Sequence, residues 1–324
     1  MLTHRNLVAN ALQVLAARPY REDDVVVGIL PFFHTYGQTV LMNASLRAGA
    51  TVVTMPRFDL EQYLTLSQKQ GATLAYLAPP VVLALAKHPR VQDYDLSSLR
   101  SILSGAAPLD AELAGVCSER LGCEVVQGYG MTEASPVTHM TPFGARLHPG
   151  SVGPLVPATE ARIVDLATGE DVDDGEPGEL LVRGPQVMKG YLGNDVATSA
   201  AVADGWLRTG DVAIVDSEGW FTIVDRIKEL IKVSGFPVAP AELEALLLTH
   251  PAVADACVIG VPDERAGEAP KGFVVLSESV APDELLEYTA ARVAPHKRIR
   301  ELEVIDAIPK SPSGKILRRL LRDA

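Results

Sequence analysis

The first half of the chain alternates short apolar runs with amphipathic stretches. The runs VVVGIL, ATVVTM, ATLAYLA and SILSG are typical of buried strands. Between them lie FDLEQYLTLSQKQ and DAELAGVCSERLG, in which apolar residues recur at helical spacing. This alternation, from Val25 to about Pro142, predicts a parallel sheet flanked by helices.

The chain opens on MLTHRNLVANALQVLAARPY, a pattern that predicts a helix almost from the first residue. Thr3 is suited to cap the free N–H groups of the first turn. The apolar residues that recur at helical spacing are Leu7, Val8, Ala11, Leu12 and Leu15. We expect this stripe to be buried against a sheet or another helix.

The pattern changes after Gly150. Short strands interrupted by Gly and Pro, as in EARIVD, GELLVRG, VAIVD and WFTIVD, predict an antiparallel, barrel-like segment. After Arg226 the order of strand-like and helix-like stretches, from DACVIGV through DELLEYTAARVA to a basic helix KILRRLLR, predicts a separate α+β domain. The predicted divisions are residues 1–148 (α/β), 149–226 (barrel-like) and 227–324 (α+β).

Composition narrows the class of protein. The chain has 324 residues, of which 47% are hydrophobic and 22% charged, as in a globular protein of about two domains. The net charge of −12 disfavours nucleic acid or an anionic membrane as the main partner and favours a small molecule. No apolar run reaches the roughly 18 residues of a membrane span, so we expect a cytoplasmic location. Cys117, Cys123 and Cys257 are too irregularly spaced for a disulfide framework, so buried reduced thiols are expected.

The most informative loop is QGYGMTEASP, residues 127–136, at the end of a predicted strand. Gly128 and Gly130 let a ligand approach the backbone, and Tyr129 offers a ring face. Thr132 supplies a hydroxyl, and Glu133 is a hard carboxylate suited to Mg²⁺. These residues indicate a nucleotide-phosphate site. The alternative is a glycine-rich turn into a helix, and the local pattern leaves both open.

Two further loops carry weaker signals. Asp211 in a TGD turn can accept hydrogen bonds from ribose hydroxyls, and Arg226 can donate to the same sugar or to a phosphate. The alternative is that both belong to ordinary hairpins. In PFFHTYG, residues 31–37, His34 follows a predicted strand among aromatic residues, although a lone His is more often structural than catalytic.

The last motif is PKSPSGKILRR, residues 309–319, in which Lys315 joins an irregular loop to a basic segment. It is similar to part of the Walker phosphate loop, but that motif requires a Gly where Pro309 stands and a Ser or Thr where Ile316 stands. The Walker interpretation therefore fails. Such a lysine is usually solvated, unless a domain movement brings it into a site.

Taken in order, these motifs resemble the adenylate-forming superfamily of acyl-CoA synthetases, luciferases and adenylation domains. SILSGAAPL, QGYGMTEASPV, IVDRIKELIKVSGF and IPKSPSGKILRRLLR are most similar to 4-coumarate and related acyl-CoA ligases. The resemblance implies a large α/β plus β-barrel domain and a small mobile α+β lid. It also implies an acid–thiol ligase that uses ATP, Mg²⁺ and coenzyme A. A carboxylic acid is first converted to acyl-AMP and then to a CoA thioester.

The resemblance also implies a role for each matching residue. Thr132 would hold the α-phosphate, Glu133 the Mg²⁺, and Lys315 would be the adenylation lysine. The positions implied for binding the nucleotide or CoA are Gly105, Ala106, Ala107, Gly128, Tyr129, Gly130, Asp211, Arg226, Lys228, Lys232 and Gly235, of which Lys228 is the hinge and Lys232 and Gly235 lie along the approach of the thiol. His34 would be an aromatic gate beside the carboxylate. The implied acyl pocket comprises Tyr36, Gly128, Pro136 and Val137, and the uncharged TYGQ stretch favours an uncharged acyl or aryl tail.

One departure from the family is large. Its members carry a Ser/Thr/Gly-rich phosphate loop before the segment that matches MLTHRN, and this sequence has none. We therefore expect an N-terminally truncated member, impaired in adenylation. Two alternatives stay open. One is an adenylation module that loads a carrier protein. The other is a non-catalytic remnant, or one half of a split enzyme that associates with a missing N-terminal portion.

Overall fold

The computed structural model describes residues 1–311 and 315–322. The chain divides into two compact units, and each has its own apolar core. The first comprises Met1–Thr209 and Ala213–Ile223, and the second comprises Gly210–Val212 and Val224–Ala324.

The first unit opens with the predicted α/β arrangement, which is confirmed. Its elements are α1 (His4–Ala17), β1 (Val25–Gly28), a π-helix (Tyr36–Asn43), α2 (Ala44–Ala48), β2 (Thr51–Thr54), α3 (Leu60–Gln70), β3 (Leu74–Leu77), α4 (Pro79–Lys87), a 3₁₀ turn (Pro89–Asp93), β4 (Ser101–Ser104), α5 (Ala111–Leu121), β5 (Glu124–Gly130), a 3₁₀ turn (Thr132–Ala134) and β6 (Val137–Met140). The strand order is β2-β1-β3-β4-β5-β6. Neighbouring strands from β2 to β5 pair in parallel, and β6 runs antiparallel to β5. The carboxyl ends of the parallel strands therefore open onto one edge, where sheets of this kind bind ligands.

A second, curled half-barrel sheet follows. Its elements are β7 (Glu160–Val164), β8 (Gly178–Arg183), α6 (Asp195–Ala201), β9 (Val202–Ala203), β10 (Trp206–Val215) and β11 (Phe221–Arg226). The strand order is β11-β10-β8-β7, with β9 beside β10, and β7 pairs antiparallel to β8. The expected barrel-like segment is thus present.

The second unit is built on a third sheet. Its elements are β12 (Ile231–Val233), β13 (Phe236–Val238), α7 (Pro240–Leu248), β14 (Val253–Asp263), β15 (Gly267–Leu276), α8 (Pro282–Ala290), a 3₁₀ turn (Pro295–Lys297), β16 (Glu301–Val304) and α9 (Arg319–Arg322). The strand order is β13-β12-β15-β14, with β16 parallel to β15. The basic helix predicted over KILRRLLR is wrong for its first half, because Ile316 pairs with Lys310 in a β-bridge.

Helix α1 corrects another prediction. Its cap is as expected, since the Thr3 hydroxyl accepts a hydrogen bond from the N–H of Asn6. Only part of the predicted apolar stripe is buried, because Ala11 is 7% exposed whereas Val8 and Leu12 are 58% and 47% exposed. Beside Ala11 and Val14, the helix buries three amide side chains, Asn6, Asn10 and Gln13. These amides find backbone partners in distant segments, which removes the usual penalty for burying polar groups.

Within residues 1–311 and 315–322, no helix is long and apolar enough to cross a membrane. All three cysteines are buried and free, as expected. Burial raises the pKa of Cys117 and Cys257 to about 12 and that of Cys123 to about 11, so these thiols stay protonated.

His139 on β6 is fully buried in the first unit. Its ring packs between Tyr129 and Phe221, and its Nδ1 lies 2.9 Å from the Thr138 hydroxyl. Among the described residues, Nε2 has no hydrogen-bond partner. Burial lowers the pKa of His139 to about 3, so the folded protein holds a neutral imidazole.

This neutral imidazole makes the stability of the first unit depend on pH. The unfolded chain takes up a proton near pH 6.5, whereas the folded chain does not until about pH 3. Stability is therefore complete above pH 6.5 and is lost as the pH falls below it. The loss attributable to His139 between pH 7 and pH 5 is about 2 kcal/mol.

Urea unfolding at pH 7 and at pH 5 measures this difference in the wild type, in His139→Leu and in the exposed control His4→Gln. We expect His139→Leu to lose about 2 kcal/mol less on acidification than the wild type and than His4→Gln. Equal losses in all three proteins would show that His139 does not titrate in this way.

Candidate active site

The turn after β4 brings Gly105 against Tyr36. A Cβ atom on Gly105 would lie 3.1 Å from the Tyr36 ring, so a side chain there would push the ring away. The Tyr36 hydroxyl donates to the carbonyl of Leu103 at 2.7 Å, which fixes the ring over the end of β4. Ala106 follows in the left-handed region, with φ of 73°. Gly105, Ala106 and Ala107 therefore form a tight turn at the ligand edge of the sheet.

The QGYGMTEASP motif forms the bend between β5 and β6. Tyr129 pairs with His139, and Gly130 pairs with Val137. A Cβ atom on Gly130 would lie 2.0 Å from the carbonyl oxygen of Pro136, so only glycine fits there. The motif is thus a closed bend of the backbone, and the predicted turn into a regular helix is replaced by the single 3₁₀ turn Thr132–Ala134.

Glu133 is held at this bend by two contacts from the segment after β8. Its backbone carbonyl accepts from the N–H of Met188 at 2.7 Å. Its Oε1 accepts from the Tyr191 hydroxyl at 2.8 Å. Burial and the adjacent carboxylate raise the pKa of Tyr191, so this hydroxyl remains a donor. One edge of the Glu133 carboxylate is therefore oriented by the protein.

His34 lies in the turn that leads into the π-helix. The ring Nδ1 of His34 accepts from the backbone N–H of Tyr36 at 3.2 Å, and the backbone N–H of His34 donates to the carbonyl of Pro31. Gly37 packs against that same carbonyl, since a Cβ atom there would lie 2.3 Å from the oxygen. His34 is therefore coupled through the backbone to Tyr36, the residue that covers Gly105.

In the second unit, Asp211 and Arg226 form an ion pair. Arg226 Nε lies 3.1 Å from Asp211 Oδ1, and the Asp211 side chain is almost fully buried. The N–H of Ile227 donates to the carbonyl of Gly210 at 2.9 Å, which ties the two segments together. The predicted ribose pair is thus brought together, and a carboxylate held by Arg is a strong acceptor.

Lys315 lies in a narrow hairpin of the second unit. The N–H of Ser311 donates to the carbonyl of Lys315 at 2.8 Å, and the N–H of Leu317 donates to that of Pro309. Residues 312–314 of the motif lie outside the described residues. Partial desolvation and the positive charges of Arg226 and Lys228 lower the pKa of Lys315. The hairpin therefore places the ammonium group in the electrostatic field of the Asp211–Arg226 pair.

Buried or partly buried charges flank the hairpin on both sides. Lys310 Nζ lies 2.5 Å from Asp255 Oδ2. Nη2 of Arg318 donates to both carboxylate oxygens of Glu244 at 2.6 Å, and neither side chain is much exposed. Glu244 Oε1 also accepts from the N–H of Val258 on β14. These pairs fix the two ends of the Lys315 hairpin to β14 and α7.

The remaining predicted residues lie around β12. Lys228 follows β11, and Lys232 lies on β12, where its N–H donates to Glu268 Oε2 at 2.6 Å. Gly235 joins β12 to β13 in a two-residue turn, and both Ser234 and Gly235 have positive φ. Positive φ at both central positions is typical of a type I′ hairpin.

Sequence reasoning missed Tyr191, which holds Glu133, and the buried amides of α1. Asn6, Asn10 and Gln13 fall at i, i+4 and i+7 of one helix, and that spacing of polar residues is the signal that could have found them. Tyr191 offers no comparable local signal. In the described part of the chain, no group of three or more His, Cys, Asp or Glu side chains could hold a metal ion.

Comparison with known proteins assigns the family. A model described as "AMP-binding enzyme" matches residues 1–192, more than half of the chain. The chain belongs to the AMP-binding enzyme family. The model of the AMP-binding enzyme C-terminal domain matches residues 242–315.

Relatives of this chain include proteins named as CoA ligases. A probable 4-coumarate–CoA ligase of Dictyostelium discoideum is 45% identical over 99% of this chain and 60% of its own length. ATP-bound MatB from Rhodopseudomonas palustris is 31% identical, with a TM-score of 0.93 over all of this chain and 64% of that one. An anthranilate CoA ligase in complex with anthranoyl-AMP is 29% identical, with a TM-score of 0.92 over 99% of this chain and 64% of that one. The chain thus spans about three fifths of the length of these relatives.

The Arg318–Glu244 pair generates a prediction about the stability of the second unit. Arg318→Met leaves the buried Glu244 carboxylate without its partner, which we expect to cost about 3–5 kcal/mol. The double variant Glu244→Leu/Arg318→Met removes both charges and should recover most of that loss. Hydrogen exchange of β14 amides as a function of urea measures these differences.

Lys297→Met is the matched control, because Lys297 pairs with Glu242 in a more exposed ion pair at 2.7 Å. It should cost less than about 1 kcal/mol. A loss in Arg318→Met no larger than in Lys297→Met would contradict the role of Arg318 as an anchor.

Proposed function

We propose that the protein is an AMP-forming acyl- or aryl-CoA ligase of the cytoplasm, acting on a carboxylic acid, ATP and CoA. The observation that supports this proposal is the ion pair of the buried Asp211 carboxylate with Arg226 in the second unit, two groups whose charges also act on Lys315. The CoA ligases among the relatives, and the ATP and acyl-adenylate named in two of them, support the same reaction.

The proposed reaction has two steps. A carboxylate oxygen of the acid attacks the α-phosphorus of ATP, the bond from that phosphorus to the bridging oxygen breaks, and pyrophosphate leaves. The sulfur of CoA, its proton lost to solvent, then attacks the acyl carbon, and the carbon–oxygen bond to AMP breaks. Lys315 is assigned to the first step, where its charge stabilises the negative charge shared by the carboxylate and the α-phosphate.

Other residues bind and orient the nucleotide. Thr132 is assigned to the α-phosphate and Tyr129 to the adenine ring. Glu133 fits Mg²⁺, because Mg²⁺ in nucleotide sites is often held by one or two carboxylates together with phosphate oxygens, and Tyr191 already orients one edge of this carboxylate. When bound, Mg²⁺ neutralises phosphate charge. Asp211 would accept hydrogen bonds from the ribose, with Arg226 fixing its carboxylate.

For the acid, we propose an aryl acid of the coumarate class. Tyr36 and Val137 belong to one buried apolar cluster, together with Leu103 and Met140. An aromatic tail suits such a lining, and no charged residue is assigned to this pocket. The name of the Dictyostelium relative supports the same class.

A stable analogue of the acyl-adenylate tests the proposal without requiring ATP. We expect 4-coumaroyl-sulfamoyl-adenosine to bind the chain at least tenfold more tightly than AMP in calorimetry, because it occupies the acyl and nucleotide positions together. Incubation of 4-coumaroyl-AMP with CoA should yield the thioester. Failure of the analogue to bind, together with the absence of thioester, would refute the proposed function.

The same assays address the phosphate loop. ATP, CoA and 4-coumarate are supplied to the chain alone and to the chain mixed with an N-terminal portion of a relative that carries the loop. We expect pyrophosphate release to increase on mixing, because backbone N–H groups of such a loop bind phosphates. Equal release in both samples would argue against association with such a portion.

Lys315→Ala, assayed in the chain mixed with the N-terminal portion described above, separates the two steps. We expect acyl-AMP formation to fall by about 100-fold or more, since a preorganised charge at the reacting phosphate is lost. Thioester formation from preformed acyl-AMP should fall by less than about tenfold, because that step does not need the same charge. Lys87→Ala, at the exposed end of α4, is the control. Equal losses in both steps would contradict the assignment of Lys315.

A further inference from the structure

Asn10 is an unusual residue for its position. It lies in the middle of α1, is completely buried, and faces the outer edge of β6. Its Oδ1 accepts from the N–H of Val137 at 2.9 Å, and its Nδ2 donates to the carbonyl of Val137 at 2.8 Å. The side-chain amide thereby pairs with both backbone groups of one residue, as a neighbouring strand would.

The residue that Asn10 pairs with, Val137, comes directly after the QGYGMTEASP motif. Val137 directly follows Pro136, and both are assigned to the acyl pocket. The carbonyl of Pro136 accepts from the N–H of Met131 and sets the close approach to Gly130. The backbone of Val137 therefore determines where the closed bend of the QGYGMTEASP motif ends.

A second buried amide, that of Gln13, also contributes to holding this bend. Gln13 Oε1 accepts from Asn10 Nδ2 at 3.0 Å, and Gln13 Nε2 donates to Gln186 Oε1 at 3.0 Å. The carbonyl of Gln186 in turn accepts from the Ser135 hydroxyl at 2.8 Å. The bend is thus held at Ser135 and at Val137 by one chain of buried hydrogen bonds that starts on α1. Such a chain specifies one arrangement, because any broken bond leaves a buried polar group unpaired.

We infer that Asn10 is a positioning residue for the acyl pocket, which acts on the acid through the backbone of Val137 and makes no contact with the reacting atoms. The inference rests on the proposed function. It predicts a specific defect: removal of the amide should weaken recognition of the acyl group and spare recognition of AMP, since Asn10 holds the wall assigned to the acyl group.

The test compares dissociation constants for 4-coumaroyl-sulfamoyl-adenosine and for AMP in the same protein. Their ratio is unaffected by the fraction of folded protein, so a purely structural role would not change it. In Asn10→Leu, which keeps the size but loses the amide, we expect the analogue to bind about tenfold more weakly and AMP to bind within about twofold of the wild type.

Two further variants sharpen the test. Leu85→Ala creates a cavity in a different apolar cluster of the first unit, to which neither Tyr36 nor Val137 belongs, and its ratio should equal that of the wild type. Asn10→Asp can mimic the amide only when protonated, because an ionised carboxylate would face the carbonyl of Val137. Its ratio should therefore approach the wild-type value at low pH and that of Asn10→Leu at high pH.

The outcomes are distinct. A wild-type protein that binds neither the analogue nor AMP refutes the proposed function. A wild type that binds the analogue, with an unchanged ratio in Asn10→Leu, overturns the role of Asn10 alone. Should Asn10→Leu fail to fold, the pH dependence of Asn10→Asp decides, since an invariant ratio in that variant also overturns the inference.

Discussion

The loops of the first unit depend on hydrogen bonds between side-chain amides of one helix and backbone groups far along the chain. Asn10 and Val137 are separated by 127 residues, and Asn6 bonds to the carbonyls of Pro185 and Val187, which lie 179 and 181 residues further along the chain. An irregular bend such as that around Gly130 cannot satisfy its own backbone groups by regular pairing. Helix α1 supplies missing partners, and for that reason its buried face carries three amide side chains beside Ala11 and Val14.

The second unit uses charge for a similar purpose. Arg318 and Lys310 bind buried or partly buried carboxylates on either side of the hairpin that carries Lys315. A buried ion pair is an expensive way to gain stability, but it fixes geometry well because neither partner can be left alone. In both units, then, polar anchors on regular elements hold the loops that carry the assigned chemistry, as is common where a rigid scaffold positions functional loops.

Much of this arrangement could be predicted from the sequence. Strands β1 to β4 are predicted by continuous apolar runs. Gly128 and Gly130 indicate a close approach to the backbone by residue type alone. The buried face of α1 could not be predicted in the same way, because an apolar pattern counts Val8 and Leu12 as core and gives Asn10 no reason to be buried. Asn10 is buried because its amide pairs with the backbone of Val137, and only the fold brings these two residues together. The role of Tyr191 could not be predicted for the same reason, because its hydrogen bond to Glu133 joins residues 58 positions apart in the chain.

Hydrogen exchange of the Val137 amide tests most directly whether α1 holds the bend. This N–H donates to the Asn10 side chain, so in the wild type it should exchange only through an opening as rare as that of the β4 amides. In Asn10→Leu, the account predicts that exchange at Val137 accelerates by at least about tenfold while exchange in β4 is unchanged. Unaltered protection of Val137 in that variant would show that the bend keeps its shape without α1 and would contradict the account.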